Sequence, residues 1–469
     1  METRSQQELK RYFFGQGPRA VAIFVCYVAN GTEQRVKELL DHELSRSDFD
    51  RRDRDLATEL AYGMMRRRGT LDHVVGQFSR LPLKKVQPRI LELLRLGAYQ
   101  LLFLDKVPAS AAVDETVKMA RRVGSEGAVG FVNGCLRSLG RAIVGKRDAA
   151  GPEVRAALPL GDGAFCLFDQ PVLPDPARSL ADYLSAAHAH PAWLVRRWLR
   201  RYGEATTRRL LDADNSAPGV VLRANRLRTT RDDLVAELVR SGRWARPLGA
   251  EHAVVDHSGD LKELRAHRDG LCTVQGVAAS VAPALLAPQP GERVLDLCSA
   301  PGSKACQLAE IARSEAAVVA LDISLARLAQ VRSNVERLGA RTVWPVAGDG
   351  TACERLFGAE FDAVLVDAPC SNTGVLARRV ESRWRLCEGQ VRELAELQRR
   401  LLASASRVVR PGGRLAYATC SLEAEENEQV VESFCREQAG FRLMESRVIL
   451  PFETGDDSGF VALWRRSQS

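Results

Sequence analysis

Histidine is missing from residues 271–469 of this 469-residue chain: all seven lie between His42 and His267. A Ser-His-Asp hydrolase and a His-ligated zinc site are therefore excluded from that span, and proton transfer there must use carboxylates, thiols, water or substrate. Lysine is almost missing as well, Lys304 being the sole example in those residues. The 11 cysteines are an odd number and include no Cys-x-x-Cys pair, which disfavours both a disulfide scaffold and a zinc ribbon, so no metal is expected. No run of about 18 apolar residues escapes a charge. The opening Met-Glu-Thr-Arg-Ser-Gln-Gln-Glu-Leu-Lys has no apolar segment of the signal-peptide kind. A soluble cytoplasmic protein with no membrane partner is the expectation. A hydrophobic content of 45% is too high for a disordered chain, and the length predicts two to four domains.

The net charge of +8 is unevenly spread. Residues 1–150 carry 26 basic and 18 acidic side chains, residues 151–270 carry 18 and 16, and residues 271–469 carry 23 and 25. All the excess positive charge thus precedes residue 271, as a polyanion-holding N-terminal part would require; an ordinary charged surface remains the alternative.

Residues 19–140 read as helical. Leu56, Leu60 and Met64 recur at four-residue spacing, Leu91, Leu94 and Ala98 at three and four, and Gly31, Pro82 and Pro108 divide the stretch into about six helices of an all-helical bundle. From Gly145 to Pro176 periodicity is lost among Gly, Pro, Ala and Asp, and a linker is expected over 149–182. In His190–Tyr202, Leu194, Trp198 and Tyr202 share one helical face, and Arg196, Arg197, Arg200 and Arg201 occupy the rest, either for phosphates or as a solvated face. Val220–Arg226 reads as a strand, and residues 183–270 as a small mixed domain.

Beyond Gly270, strand, Gly-rich turn and helix alternate. Arg293–Leu297, Ala317–Asp322, Thr342–Val346, Ala363–Asp367 and Arg414–Thr419 are short apolar runs, the pattern of a buried, mostly parallel sheet covered by helices. Ligands bind at the carboxyl ends of such strands. Polar residues fall there: Asp296, Asp322, Asp349, Asp367 and Cys420. The loop Cys298-Ser299-Ala300-Pro301-Gly302-Ser303-Lys304 precedes a helix and its small residues admit a ligand to the backbone. It is neither Gly-x-Gly-x-x-Gly nor a P-loop. Asp322 is placed for a ribose diol and Asp349 near a base. A nucleoside ligand without pyrophosphate recognition points to S-adenosylmethionine rather than NAD or ATP.

Two cysteines follow strands in loops rich in Asp, Pro and Gly: Cys370 in Asp367-Ala-Pro-Cys-Ser-Asn-Thr-Gly374, and Cys420 in Ala418-Thr-Cys-Ser421. Neighbouring strands would bring both into one crevice. Buried structural thiols are the bland alternative. A thiolate suits methylation of a pyrimidine at C5, which becomes nucleophilic, enamine-like, once a thiol adds at C6.

Asp-Leu-Cys-Ser-Ala-Pro-Gly-Ser-Lys, Asp-Ala-Pro-Cys-Ser-x-Thr-Gly and Tyr-Ala-Thr-Cys-Ser with Glu425-Glu-Asn427 resemble the RNA cytosine-C5 methyltransferases. Leu56-Ala-Thr-Glu-Leu-Ala-Tyr-Gly63, Gly97-Ala-Tyr-Gln-Leu-Leu-Phe103 and Phe131-Val-Asn-Gly-Cys-Leu-Arg137 resemble the NusB-like RNA-binding domain fused to the bacterial 16S rRNA branch, the RsmB type. The resemblance implies a NusB-like all-helical domain over 1–148, the linker 149–182, a small α/β RNA-binding subdomain over 183–270, and a Rossmann-like class I methyltransferase domain with a seven-stranded, mostly parallel sheet over 271–469. It implies S-adenosylmethionine-dependent methylation of C5 of one cytosine in 16S rRNA through a transient Cys–C6 adduct, by a monomer.

The same resemblance implies roles. Cys420 attacks C6, and Cys370 assists release, as or through the base that takes the C5 proton; the reverse assignment is chemically open. Asp367 holds the N3 and N4 edge of cytosine, and Lys304 sits where cofactor and base meet. Cys298, Ser299, Ala300, Pro301, Gly302 and Ser303 follow the methionine portion, and Asp322 and Asp349 bind ribose and adenine. Ala377–Trp384 is expected to face the RNA. Two other readings stay open, a binding platform without catalysis and a tRNA substrate.

Overall fold

The computed structural model describes residues 17–149, 153–256 and 264–468. Residues 1–16, read above for a leader, lie outside them. Two compact units divide the chain: one holds the described residues up to Ser216 together with Leu376–Arg385, the other Ala217–Val375 with the described residues from Leu386 onward.

In the first unit six α-helices occupy Pro18–Gly31, Val36–Ser45, Arg51–Phe78, Pro88–Phe103, Ala109–Val123 and Glu126–Ala142. Proline opens the first and fourth, where a missing N–H costs nothing. Asp50 and Ser125 cap two others through the N–H groups of Asp53 and Ala128. Leu60, Met64, Leu71, Leu94 and Ala98 form the bundle core. Gly63 is required by packing: a Cβ there would lie 2.0 Å from the Tyr99 hydroxyl, which donates to Glu59 Oε1 at 2.6 Å.

The expected linker over 149–182 is corrected. Strands β1 (Ile143–Arg147), β2 (Ala157–Gly161) and β3 (Ala164–Phe168) form an antiparallel sheet in the order β1-β3-β2. The turn between β2 and β3 is Asp162-Gly163, both at positive φ (49° and 80°), the backbone a two-residue hairpin demands. Five-residue strands with only Ala157, Leu158, Cys166 and Phe168 buried leave too little pattern to read. The stretch beginning at His190 becomes the helix Ala192–Asn215, broken at Gly203, with Leu194 and Trp198 buried and Arg196 and Arg200 exposed.

The expectation that 377–384 faces RNA is also corrected, since every residue of that segment is buried or half-buried. Arg383, 1% exposed, donates to the carbonyls of Arg66 (2.9 Å), Ala189 (3.1 Å) and Asp214 (3.0 Å) and to Asn215 Oδ1 (2.9 Å). The Trp384 indole donates to the Met65 carbonyl at 2.8 Å.

In the second unit β4 (Val220–Ala224), β5 (Ala245–Leu248), β6 (His252–Val255) and β7 (Cys272–Val274) make an antiparallel sheet ordered β5-β6-β4-β7. Of the small mixed domain expected over 183–270, the helix Ala192–Asn215 is described with the first unit and this sheet with the second. The larger sheet contains β8 (Arg293–Leu297), β9 (Ala317–Asp322), β10 (Val343–Ala347), β11 (Phe361–Asp367), β12 (Val409–Thr419), β13 (Phe441–Ile449) and β14 (Gly459–Arg466). Its order is β10-β9-β8-β11-β12-β14-β13, with β14 antiparallel to both neighbours and the other pairings parallel. Strands buried on both faces explain the continuous apolar runs of the sequence. Order reverses at β8, where an open α/β sheet offers a crevice. A buried ion pair joins the smaller sheet to this one: Arg223 Nη1 and Nη2 donate to Glu310, on the helix Ser303–Ile311, at 2.5 and 2.8 Å.

Candidate active site

The loop after β8 enters its helix through two left-handed residues, Cys298 (φ 59°) and Gly302 (φ 96°). A Cβ on Gly302 would lie 3.0 Å from Val331, so glycine serves both conformation and space. Asp322, at the end of β9, braces this loop: Oδ2 accepts the Ala300 N–H at 3.2 Å, and Oδ1 accepts that of Ser324 at 2.9 Å. Arg327 pairs with Asp322 at 3.4 Å and donates to the Ala300 carbonyl at 2.6 Å. Asp349 is exposed beyond β10 and accepts both the N–H and the hydroxyl of Thr351, which hold its carboxyl below the ordinary range. The structure thus places Asp322 in the loop's own bracing and leaves Asp349 at the surface.

Asp296, near the end of β8, is fully buried, and among the described residues the buried Ser299 hydroxyl is the one hydrogen-bonding group beside its carboxyl. Burial first and Asp367 second push the Asp296 carboxyl up to about 7, against Ser299 and Lys304. Buried carboxyls with so few donors are rare in folded proteins. The position of Asp296 and Ser299 at the β8 loop fits a polar ligand. Lys304, on the first turn of the following helix, donates to Asp367 Oδ2 at 2.6 Å. Burial works against its ammonium, but Asp367, Asp296 and Cys420 outweigh it and raise its pKa.

Asp367 and Ala418 are partners across β11 and β12, so the loops that follow leave the sheet side by side. This brings the Sγ atoms of Cys370 and Cys420 to 3.0 Å. The Cys420 N–H also donates to Cys370 Sγ at 3.3 Å, and the Cys420 thiol donates to Asn372 Oδ1 at 3.3 Å. The contact with Cys420 and burial together raise the Cys370 pKa well above the ordinary thiol value. Asn372, Arg327 and the full burial of the Asp296 carboxyl were not singled out by sequence. Asn372 had a signal in its place beside Cys370; the other two depend on how distant loops meet.

A mostly parallel seven-stranded sheet with one antiparallel strand, an acid at the tip of β9 and a small-residue loop after β8 define a Rossmann-like class I methyltransferase, whose cofactor is S-adenosylmethionine. Residues 283–460 match the family described as 16S rRNA methyltransferase RsmB/F, 16–141 the NusB family, and 190–255 the RsmF/B-like ferredoxin-like domain. The chain is 30% identical over 447 residues to the probable ribosomal RNA small subunit methyltransferase B of Bacillus subtilis (strain 168), spanning 91% of this chain and 94% of that protein. It is 34% identical to ribosomal RNA small subunit methyltransferase B of Erwinia tasmaniensis, over 84% of this chain and 85% of that one. The protein belongs to the RsmB/F family of 16S rRNA methyltransferases. The crystal structure of PH0851 shares the fold, with a TM-score of 0.76, 23% identity and coverage of 96% of this chain and 99% of that one. So does NSun6 from Pyrococcus horikoshii, determined with SFG, at a TM-score of 0.54, 20% identity, and 60% and 100% coverage. Among the described residues no helix is long and apolar enough to cross a membrane, and no His, Cys, Asp and Glu cluster is placed to hold a metal.

Proposed function

We propose that this chain methylates C5 of one cytosine in 16S rRNA in the bacterial cytoplasm. The 3.0 Å approach of Cys370 to Cys420 carries the reading, because one base has to meet both thiols. Cys420, as thiolate, adds to C6 and pushes the electron pair to C5, while Asp367, paired with Lys304, holds the N3 and N4 edge of the cytosine in the base's protonated, electron-withdrawing form. S-adenosylmethionine supplies an electrophilic methyl on its sulfonium for that carbon. With Cys370 assisting, a base then accepts the C5 proton, and the electrons of that C–H bond expel the Cys420 thiolate from C6. The buried Asp296 carboxyl, the Ser299 hydroxyl and the Cys298–Ser303 backbone would hold the methionine portion, with Asp322 and Asp349 towards ribose and adenine.

The target base must be unpaired or flipped out to admit a thiol above its ring. The positive excess before residue 271 supports RNA affinity that resides mainly there and falls with salt. In the full chain, neutralising basic residues before 271 should flatten the salt dependence more than equal changes after it. Bisulfite sequencing of 16S rRNA and tRNA from a deletion strain tests the substrate: one 16S cytosine should lose its protection, and a loss confined to tRNA would refute the proposal.

A further inference from the structure

The two cysteine loops share one buried carboxylate. Glu426 is 0% exposed and lies in the turn after β12. Its Oε1 accepts the N–H of Ser371, the residue after Cys370, at 2.8 Å, and the Gln398 amide at 3.0 Å. Its Oε2 accepts the hydroxyls of Ser371 and of Ser421, the residue after Cys420, the latter at 2.5 Å. Those two hydroxyls lie 3.1 Å apart. The turn is itself fastened, since the Tyr417 hydroxyl donates to the Glu426 carbonyl at 2.6 Å and Asn427 Nδ2 to the Ser421 carbonyl at 2.9 Å. Burial pushes the Glu426 carboxyl above the ordinary range, and the Ser371, Ser421 and Gln398 donors pull against it. Such a group is satisfied only while both loops keep their places.

We propose that Glu426 is a positioning residue that holds Cys370 and Cys420 in register through Ser371 and Ser421, so that both thiols meet the same base. The proposal rests on the two-thiol reading given above. Its mechanism is geometric, because a misplacement of about 1 Å at reacting groups costs on the order of 100-fold in rate.

The full chain, 16S rRNA and S-adenosylmethionine provide the test. Glu426→Ala should lower kcat on the order of 100-fold, leave KM for S-adenosylmethionine within about threefold, and raise the fraction of enzyme held as covalent RNA adduct. Glu426→Gln keeps an acceptor for the Ser371 N–H and should recover about tenfold of that loss. Should Glu426→Ala not fold, the double variant Ser371→Ala, Ser421→Ala removes both hydroxyl donors and should show the same rise in adduct. Wild-type kcat and adduct fraction in these variants would overturn the clamp, as would parallel loss of cofactor binding and turnover without recovery by glutamine. Cys420→Ala, assayed alongside, separates the two ideas: turnover there would refute the two-thiol reading whatever the Glu426 variants do.

Discussion

The sulfur atoms of Cys370 and Cys420, 50 residues apart in sequence, lie 3.0 Å from each other at the ends of adjacent parallel strands. The contact with Cys420 and burial hold the Cys370 thiol well above its ordinary pKa. Cys420→Ala should therefore lower methyl transfer by on the order of 1,000-fold or more, whereas Cys370→Ala should accumulate a denaturation-resistant protein–RNA band. Gel analysis with labelled RNA separates the two, and adduct from Cys420→Ala instead would reverse the assignment.

Lys304 and Asp367 form a second close pair, at 2.6 Å, with side chains 14% and 33% exposed. Asp367→Asn keeps the shape but removes the charge that pairs with Lys304. Single-turnover methylation should slow on the order of 100-fold, because the lost interaction acts on charge developing in the base. An unchanged rate would remove Asp367 from the chemistry.

Asp296 carries the pH prediction. Its carboxyl stands at about 7 instead of 3.8, so the folded protein retains a proton that the unfolded chain has released. The stability this contributes is complete below about pH 4 and is lost as pH rises to about 7. Asp296→Asn should gain on wild type by on the order of 3 kcal/mol between about pH 5 and 7, then level off. Urea unfolding of the ligand-free protein at intervals of pH measures this; a constant difference would contradict the raised pKa of the buried carboxyl.

Arg383 gathers three carbonyls and one amide oxygen inside the helical unit, and burial lowers its pKa to about 9. Arg383→Ala should destabilise that unit by about 3 kcal/mol or more, since it leaves a cavity and several unpaired acceptors. Arg383→Lys should rescue little, because an ammonium cannot reproduce the planar fork. Hydrogen exchange across Arg51–Phe78 and Ala192–Asn215 would report the effect; wild-type protection would contradict it.

Much of this molecule is legible from local pattern. The strands Arg293–Leu297 and Ala317–Asp322 coincide with the expected runs, because strands buried on both faces need unbroken apolar residues. The helices between residues 18 and 142 follow from their apolar spacing and their breakers. The hairpin closed by Asp162-Gly163 escaped because two short, half-exposed strands carry almost no periodicity.

By itself the sequence determined the kinds of element, the alternation that makes a Rossmann-like sheet, the absence of histidine from the catalytic part and the two loops that carry cysteines. Each of these is written in neighbouring residues. The tertiary structure alone decided that Ala377–Trp384 turns inward, that the Asp296 carboxyl is fully buried and that Glu426 receives donors from both cysteine loops. Burial and partner choice depend on which distant segments arrive together, and no local pattern encodes that meeting.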